Sequence, residues 1–482
     1  MTQEVELKLE LAHEAVDSFL QSAILPAESE QADLRSIYFD TPDRQLHAEG
    51  LSLRIRQSGT ERVQTVKADE GDGGGGLFAR AEWEMKVSDD VPVIDTRTPV
   101  AALLGEEVHT IEPAFAVEVG RRSWLLSEGS DRIEMALDQG MVRAGERQAP
   151  ICEIELERKA GEAAALFRIA RDIDAQVPVR LGVIAKSERG YQLLEAVRHA
   201  FKAEPVRLTP GMRTDAAFQT IARACLRHYR LNEALLLEQY DPLALHQARV
   251  AVRRLRSAFT IFKPILAEAD RTRFQEELRW LAGMLGEARD LDVLAEQTSA
   301  GDLRDGIEAV QPEVHARVIE ALHSHRVRGL LLDLLEWLTL GAGQVDGETQ
   351  ELRKEEAQRF AARRLAHLRR KVVKDGRGMK RLNDAARHEV RKDAKKLRYA
   401  SEFFAGLFPQ KSQHRRHARF ITALEGLQDD LGALNDLVSM PRILAQYGLI
   451  DRAEGSAKRR KRLIAAAADA HGELADAQRF WR

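Results

Sequence analysis

Cysteine is nearly absent: the 482-residue chain has two, Cys152 and Cys225. Two distant thiols make neither a disulfide framework nor a metal-ligand spacing, and they suit a reducing compartment. Long apolar runs are missing too. The most leucine-rich stretch, GLLLDLLEWLTLG, is interrupted by Asp333 and Glu336 and is too short to span a bilayer. The N-terminus is acidic and shows no signal-peptide apolar segment. Aromatic residues make up only 6%, and no stacking motif accompanies the basic stretches, so base recognition is not indicated. The expectation is a cytoplasmic protein with no membrane segment.

What the chain does have is charge, at 31% of residues, unevenly spread. Residues 1–210 hold 25 Lys and Arg against 38 Asp and Glu, a net of −13, whereas residues 211–482 hold 48 against 38, a net of +10. The length asks for more than one core, and the split suggests domains with different electrostatic tasks. The join is expected in KAEPVRLTPG, where two prolines and a glycine interrupt any helix. The predicted organisation is a multidomain α+β chain: residues 1–203, a linker at 204–211, and an all-helical part at 212–482. A fragment of residues 1–203 is expected to fold alone.

The first part reads with period two. Glu4, Glu6 and Lys8 alternate with Val5, Leu7 and Leu9. Ser52, Arg54 and Arg56 share a face, as do Thr65 and Lys67, then Arg80, Glu82, Glu84 and Lys86. Glu134 and Asp138 share another, and Glu153, Glu155 and Glu157 oppose Ile154 and Leu156. DEGDGGGGLF reads as a flexible hairpin loop. Each strand has one apolar and one charged face. An open antiparallel sheet could show the charge to water. A closed barrel could point it inward and cover its apolar outside with helices, such as AHEAVDSFLQSA and GEAAALFRIARDIDAQ. A charged interior must pair its charges or hold ions. Carboxylate clusters suit Mg²⁺ or Mn²⁺, and Arg and Lys suit phosphate oxygens.

Glu4-x-Glu6-x-Lys8 resembles the opening signature of the CYTH superfamily, the triphosphate tunnel metalloenzymes. YFDTPDRQLHAEGLSLRIR resembles that family's second block. Thr65-x-Lys67, Arg80-x-Glu82-Trp83-Glu84, Arg121 three before Trp124, ALDQG, EIELE and AKSERGY follow in order. The resemblance implies an eight-stranded antiparallel barrel around a charged tunnel, and triphosphate hydrolysis with a divalent cation, Mg²⁺ or Mn²⁺. It implies metal ligation by Glu4, Glu6, Glu84, Asp138, Glu153 and Glu155. Lys8, Arg54, Arg56, Lys67, Arg121 and Lys186 would hold phosphate, with Glu4, Glu6, Lys8 and Lys67 as the catalytic group. Arg122 has the opposite parity to Arg121. Glu82, Glu134 and Glu157 share the inward parity, as ligands or as structural partners of tunnel cations. No Ser, Cys or His nucleophile belongs to the set, which leaves metal-activated water. Other chemistries of the superfamily, thiamine triphosphate hydrolysis and adenylate cyclisation, are the alternatives, as is a non-catalytic polyphosphate-binding scaffold.

From about residue 212 the period is helical and the sequence repeats. HQARVAVRRLRSAFTIF matches HEVRKDAKKLRYASEFF at an offset of 142, pairing His246 with His388, Arg249 with Arg391, Arg253 with Lys395 and Arg256 with Arg398. LGEARDLDVL matches LGALNDLVSM at an offset of 146, pairing Asp290 with Asp436. Two repeats are predicted, about 212–345 and 346–482. His246, Arg249, Arg253 and Arg256 fall within about 80° of the helix circumference, opposite Ala251, Val252, Leu255, Phe259 and Phe262. His388, Arg391, Lys395 and Arg398 do the same. Such stripes repel themselves and favour an anion. These blocks resemble the CHAD domain, an all-helical module. That resemblance implies inorganic polyphosphate bound by the eight stripe residues, with association with polyphosphate granules. The histidines are expected to bind as cations near their ordinary pKa.

Overall fold

The computed structural model describes residues 4–68, 76–341, 346–449 and 456–482, without the side chains of Glu4, Ala79, Arg80 and Ser456. The expected hairpin loop DEGDGGGGLF falls largely outside the described residues. Two compact units emerge. The first comprises residues 1–199 and 323–341, the second residues 200–322 and 342–482. Among the described residues, no helix is long and apolar enough to cross a membrane.

Alternating side chains produce nine strands among the described residues of the first unit: Glu4–Leu11 (β1), Glu30–Asp40 (β2), Leu51–Ser58 (β3), Glu61–Ala68 (β4), Leu77–Lys86 (β5), Glu112–Glu128 (β6), Asp131–Ala144 (β7), Arg147–Ala160 (β8) and Val179–Leu181 (β9). Their order is β5-β4-β3-β2-β6-β7-β8-β1-β9, all antiparallel pairs. β1 closes the ring. One of its edges pairs with β8 over Glu6–Glu10, and the other pairs with β5 and β9. The long β6–β7–β8 meander turns through Gly129 and Gly145, whose φ of 57° and 60° suits the left-handed residue of a two-residue hairpin loop.

The apolar faces point outward and are covered. Leu7, Leu9, Met135, Leu137, Ile154 and Leu156 are at most 2% exposed. The helix Ala164–Gln176 lies over β1, β7 and β8 and buries Leu166, Phe167, Ala170 and Ile173. Elsewhere Leu53, Ile55 and Val66 pack with Val100 and Leu104 of the short helix Pro99–Leu104. Asp40, 1% exposed, ties the YFDTPD block together. Its carboxylate accepts the N–H groups of Thr41, Leu46 and His47 and the Tyr191 hydroxyl. Tyr191 belongs to the helix Lys186–Leu193, which packs on β6, β7 and β8. Its Gly190 lies against Phe115, where a Cβ would stand 2.1 Å from the ring. That close approach sets the helix, and with it Lys186.

The helix His325–Leu340 belongs to the first unit although its sequence lies within the helical half. Buried Arg328 donates from Nε to Asp174 Oδ1 at 2.5 Å, and Asp174 also accepts the Val179 N–H. Arg171 pairs with Asp333 at 2.8 Å and with Glu336. The charges that interrupt the leucine run are therefore docking contacts. A fragment ending at residue 203 lacks this helix and leaves Asp174 without its buried guanidinium.

The second unit is helical and carries the repeat in its geometry. Pro242–Ile261 and Asp384–Phe403 are both 20 residues long and start 384 − 242 = 142 residues apart. A 3₁₀ turn follows each, at Lys263–Ile265 and Ala405–Leu407, and then the long helices Glu268–Gln297 and Lys411–Gln446. Asp241 and Asn383 cap the equivalent pair through side-chain oxygens.

Candidate functional site

The interior of the first unit is built on one charge cluster. Lys8 Nζ lies 2.9 Å from Glu153 and 3.1 Å from Glu6, and it also contacts Glu155. Lys186 Nζ lies 2.7 Å from Asp138 and 2.6 Å from both Glu153 and Glu155. Arg121 forks onto Asp138 at 2.7 and 2.6 Å and reaches Glu155. Arg122 turns the other way, onto Ser29 and the Trp124 ring. Asp138, Glu153 and Glu155 can each bring an oxygen within 4.8 Å of the others, a spacing that suits one cation. Lys8 and Lys186 point their ammonium groups at these oxygens.

Burial raises the pKa of the Glu155 carboxyl, but Lys186, Lys8 and Arg121 outweigh it and hold the group well below the usual carboxylate range. The same balance lowers Glu153, through Lys186 and Lys8, and Asp138, through Lys186 and Arg121. Burial pulls Lys8 and Lys186 down, and the facing carboxylates more than reverse it.

Beyond the cluster opens a chamber of about 300 Å³. Among the described residues six carboxylates line it: Glu6, Glu82, Glu84, Glu134, Glu155 and Glu157. Six cationic groups face them: Arg54, Arg56, Lys67, Arg121, Lys159 and Lys186. Asp138 and Glu153 are fully buried behind this wall and do not line it. Glu82 pairs with Lys67 at 3.3 Å, and Glu134 and Glu157 pair with Lys159 at 3.1 and 2.6 Å. Glu84 is exposed to the chamber and accepts a 3.3 Å bond from Thr65. Glu4 pairs through its backbone with Arg80 on β5, and its side chain lies outside the described residues. The guanidinium of Arg56 is crowded. Arg54 beside it, burial and Arg121 together lower it to about 10, and the buried Nε atoms of Arg54 and Arg56 have no hydrogen-bond partner. Tyr38 stands 3.4 Å from Arg54 in an adjoining pocket of about 60 Å³ with Lys8, Lys67 and Lys186.

The chamber's chemistry fits a divalent cation. Its donors are carboxylate oxygens, as hard cations prefer, and two buried guanidinium nitrogens lack an acceptor that a phosphate oxygen can supply. Lys159 was missed from sequence, although it continues the parity of Glu153, Glu155 and Glu157.

In the second unit a cavity of about 830 Å³ brings together His246, Arg253, Arg391, Lys395 and Arg398 from the equivalent helices. Arg253 donates to the Tyr399 hydroxyl at 2.7 Å, and Arg254 and Arg398 both pair with Glu402. Arg249 flanks the cavity, 3.3 Å from Asp290. The repeat motif has a geometric meaning: Arg249 packs at Gly286 and Arg391 at Gly432, each helped by the aspartate four residues later. Two expected members stand apart. Arg256 is not in the lining and feels Arg279, and His388 bonds Asn435 at 2.7 Å. The expectation of a cationic His246 is corrected. Burial, then Arg289, Arg253 and Arg249, lower its pKa to about 4, so the ring is neutral at working pH.

The depressed carboxyl groups fix the pH response of the first unit. Their stabilisation is present above the ordinary carboxyl range and is lost as pH falls through the folded values; that of Lys8 and Lys186 is lost only as pH rises through theirs. Lys186→Met removes a cation from three carboxylates, so acid unfolding followed by circular dichroism should begin at higher pH than in wild type. An unshifted acid transition would contradict the cluster's role.

Comparison with known proteins divides the chain by sequence, and residues 323–341, which pack with the first unit, fall within the second match. The CYTH domain model matches residues 2–191, and the CHAD domain model matches residues 220–445. An inorganic triphosphatase of Haemophilus influenzae is 33% identical over 204 residues, covering 40% of this chain and 55% of that protein, so the match spans about half of that relative's length. An uncharacterized protein of Mycobacterium tuberculosis is 24% identical over 438 residues, covering 83% of this chain and 82% of that protein. A solved CHAD domain from Ricinus communis is 30% identical, with a TM-score of 0.47, covering 58% of this chain and 97% of its own. Residues 2–191 are a CYTH domain, followed by a CHAD domain at residues 220–445.

Proposed function

We propose that the first unit hydrolyses inorganic triphosphate to diphosphate and phosphate with the help of Mg²⁺ or Mn²⁺. The observation that carries this reading is the chamber lining, which among the described residues sets six carboxylates against six cationic groups. A triphosphate carries several negative charges, so a balanced lining accepts it only with accompanying cations. Glu6 and Glu84 face the chamber and would hold the metal, with Glu155 beside them and Glu4 on the same strand face. The bound metal would polarise phosphoryl oxygens and supply an acidified water at neutral pH. Arg54, Arg56, Lys67, Arg121 and Lys186 bind and orient phosphate oxygens, and they neutralise charge that builds on the leaving diphosphate. Lys8 aligns Glu6 with Glu155 and shields the buried Glu153. Among the described residues the chamber lining is charged apart from Ala136, which favours the inorganic substrate over the other chemistries of the superfamily.

We propose in addition that the second unit's cavity binds inorganic polyphosphate through Arg253, Arg391, Lys395 and Arg398, with Arg249 at its edge. Asp290 and Asp436 keep the guanidinium groups of Arg249 and Arg391 in place rather than meeting the ligand.

Phosphate release from triphosphate, ATP, thiamine triphosphate and long polyphosphate, measured side by side with each metal, tests the first reading. Glu84→Gln should lower kcat/KM for triphosphate about 10²–10³-fold, the loss typical of one transition-state contact. Wild-type turnover in that variant, or equal rates on ATP, would contradict the assignment. For the second reading, the double variant Arg253→Gln with Arg391→Gln should weaken long-polyphosphate binding about tenfold or more and flatten its salt dependence. Arg256→Gln should leave both unchanged. Equal losses in the two variants would return the stripe to a diffuse basic surface.

A further inference from the structure

We infer that Tyr38 is a specificity-determining residue of the first unit's site: its hydroxyl donates a hydrogen bond to an oxygen of the terminal phosphate of a chain whose next members lie in the chamber. This rests on the reading of the chamber as a triphosphate site and deepens it by naming the group that recognises a chain end.

Tyr38 is 3% exposed and stands where apolar packing meets the charged interior. Its ring stacks on Phe115, with centroids 4.7 Å apart, in an apolar cluster with Val117, Val142, Ile151 and Tyr191. Its hydroxyl meets Arg54 in the pocket of about 60 Å³, which shares Glu6, Arg54, Lys67, Glu155 and Lys186 with the chamber. On β2 it lies opposite Arg54 on one side and Phe115 on the other, and the β2–β6 register shifts between Tyr38 and Phe39. Bulges of this kind re-aim side chains and recur beside binding sites.

The other tyrosines supply a contrast. The chain has six, and four of them donate to a carboxylate: Tyr191 to Asp40 at 2.7 Å, Tyr229 to Glu233 at 3.1 Å, Tyr240 to Asp292 at 2.8 Å and Tyr447 to Glu287 at 2.7 Å. The remaining two accept from arginine instead, Tyr38 from Arg54 at 3.4 Å and Tyr399 from Arg253 at 2.7 Å. Among the described residues neither has an acceptor for its own proton. Both line cavities that gather cations. A buried hydroxyl proton without an acceptor is costly, so each position suits an oxygen that arrives with a ligand.

The surroundings of Tyr38 fit an anionic oxygen. Lys8, Arg54, Lys67 and Lys186 line the small pocket with it. Burial pushes the phenol up, and Arg54, Arg56 and Lys186 more than reverse that, so its proton is held less tightly than in a free tyrosine and makes a stronger donor. At about 60 Å³, against about 300 Å³ for the chamber, the pocket is small enough to take a single phosphoryl group. A terminal phosphate presents three non-bridging oxygens and an internal one presents two. Tyr38 supplies a donor for the additional oxygen.

Tyr38→Phe removes the hydroxyl and keeps the ring on Phe115, so its circular dichroism should match wild type. Its KM for triphosphate should rise about tenfold or more with kcat little changed, the mark of a contact made equally in the ground and transition states. Imido-bridged triphosphate, which resists hydrolysis, gives a readout without turnover. Added with Mg²⁺ to the full chain, it should shift one phenol's absorption to longer wavelength in the difference between wild type and Tyr38→Phe, as a hydroxyl does on donating to an anion. Cyclic trimetaphosphate, with three phosphates and no end, should bind both proteins alike. If the difference shows the shift but wild type does not turn over triphosphate, the hydrolytic reading fails and the assignment of Tyr38 holds. If wild type turns it over and the variant keeps its KM, shows no phenol difference, or loses affinity equally for linear and cyclic triphosphate, the assignment of Tyr38 is overturned and the hydrolytic reading remains.

Discussion

A sheet that turns its charged face inward must neutralise itself, and here Lys8, Lys186 and Arg121 do so against Asp138, Glu153 and Glu155. Burying any of these charges alone is costly, and together they form a set in which each cation meets two or three carboxylates. Much else follows from that constraint. β1 must lie beside β8 to bring Lys8 to the glutamates, and the helix Lys186–Leu193 must approach closely enough to insert Lys186, which Gly190 permits. With the cluster satisfied from behind, the outer carboxylates Glu6 and Glu84 stay available to the chamber.

The second unit solves a different problem. Its cavity has an excess of cations, and burial, with mutual repulsion added to it, lowers Lys395, Arg391 and Arg249. Duplication accounts for the excess, because two equivalent helices bring their basic stripes to one place. Asp290 and Asp436, which recur with the repeat, offset part of the repulsion. What remains is a standing preference for an anion.

Much of this was legible because two periods are local. Alternation in Glu4–Leu9 and Glu153–Glu157 identifies strands and faces, and the 142-residue offset gives equivalent helices of equal length. The side of the barrel on which the charges lie needs closure through β1, a long-range pairing that no strand encodes alone. The leucine-rich helix His325–Leu340 has an apolar face that fits many neighbours, and the contacts of Arg328 with Asp174 and of Arg171 with Asp333 and Glu336 assign it to the first unit. Helical spacing put Arg256 in one stripe with Arg253, but the stripe is wider than the cavity. The low pKa of His246 depends on burial and on Arg289 of another helix, neither of which its own spacing reveals.

The central claim is that the chamber takes a triphosphate only together with a divalent cation. Calorimetric titration of imido-bridged triphosphate, which resists hydrolysis, measures this directly with the full chain in Mg²⁺ and in EDTA. The difference between wild type and Arg56→Gln isolates the chamber from the second unit's cavity. The account predicts that the chamber component is at least about tenfold tighter with Mg²⁺, the equivalent of one well-placed charge interaction. Equal affinity with and without the metal would contradict it.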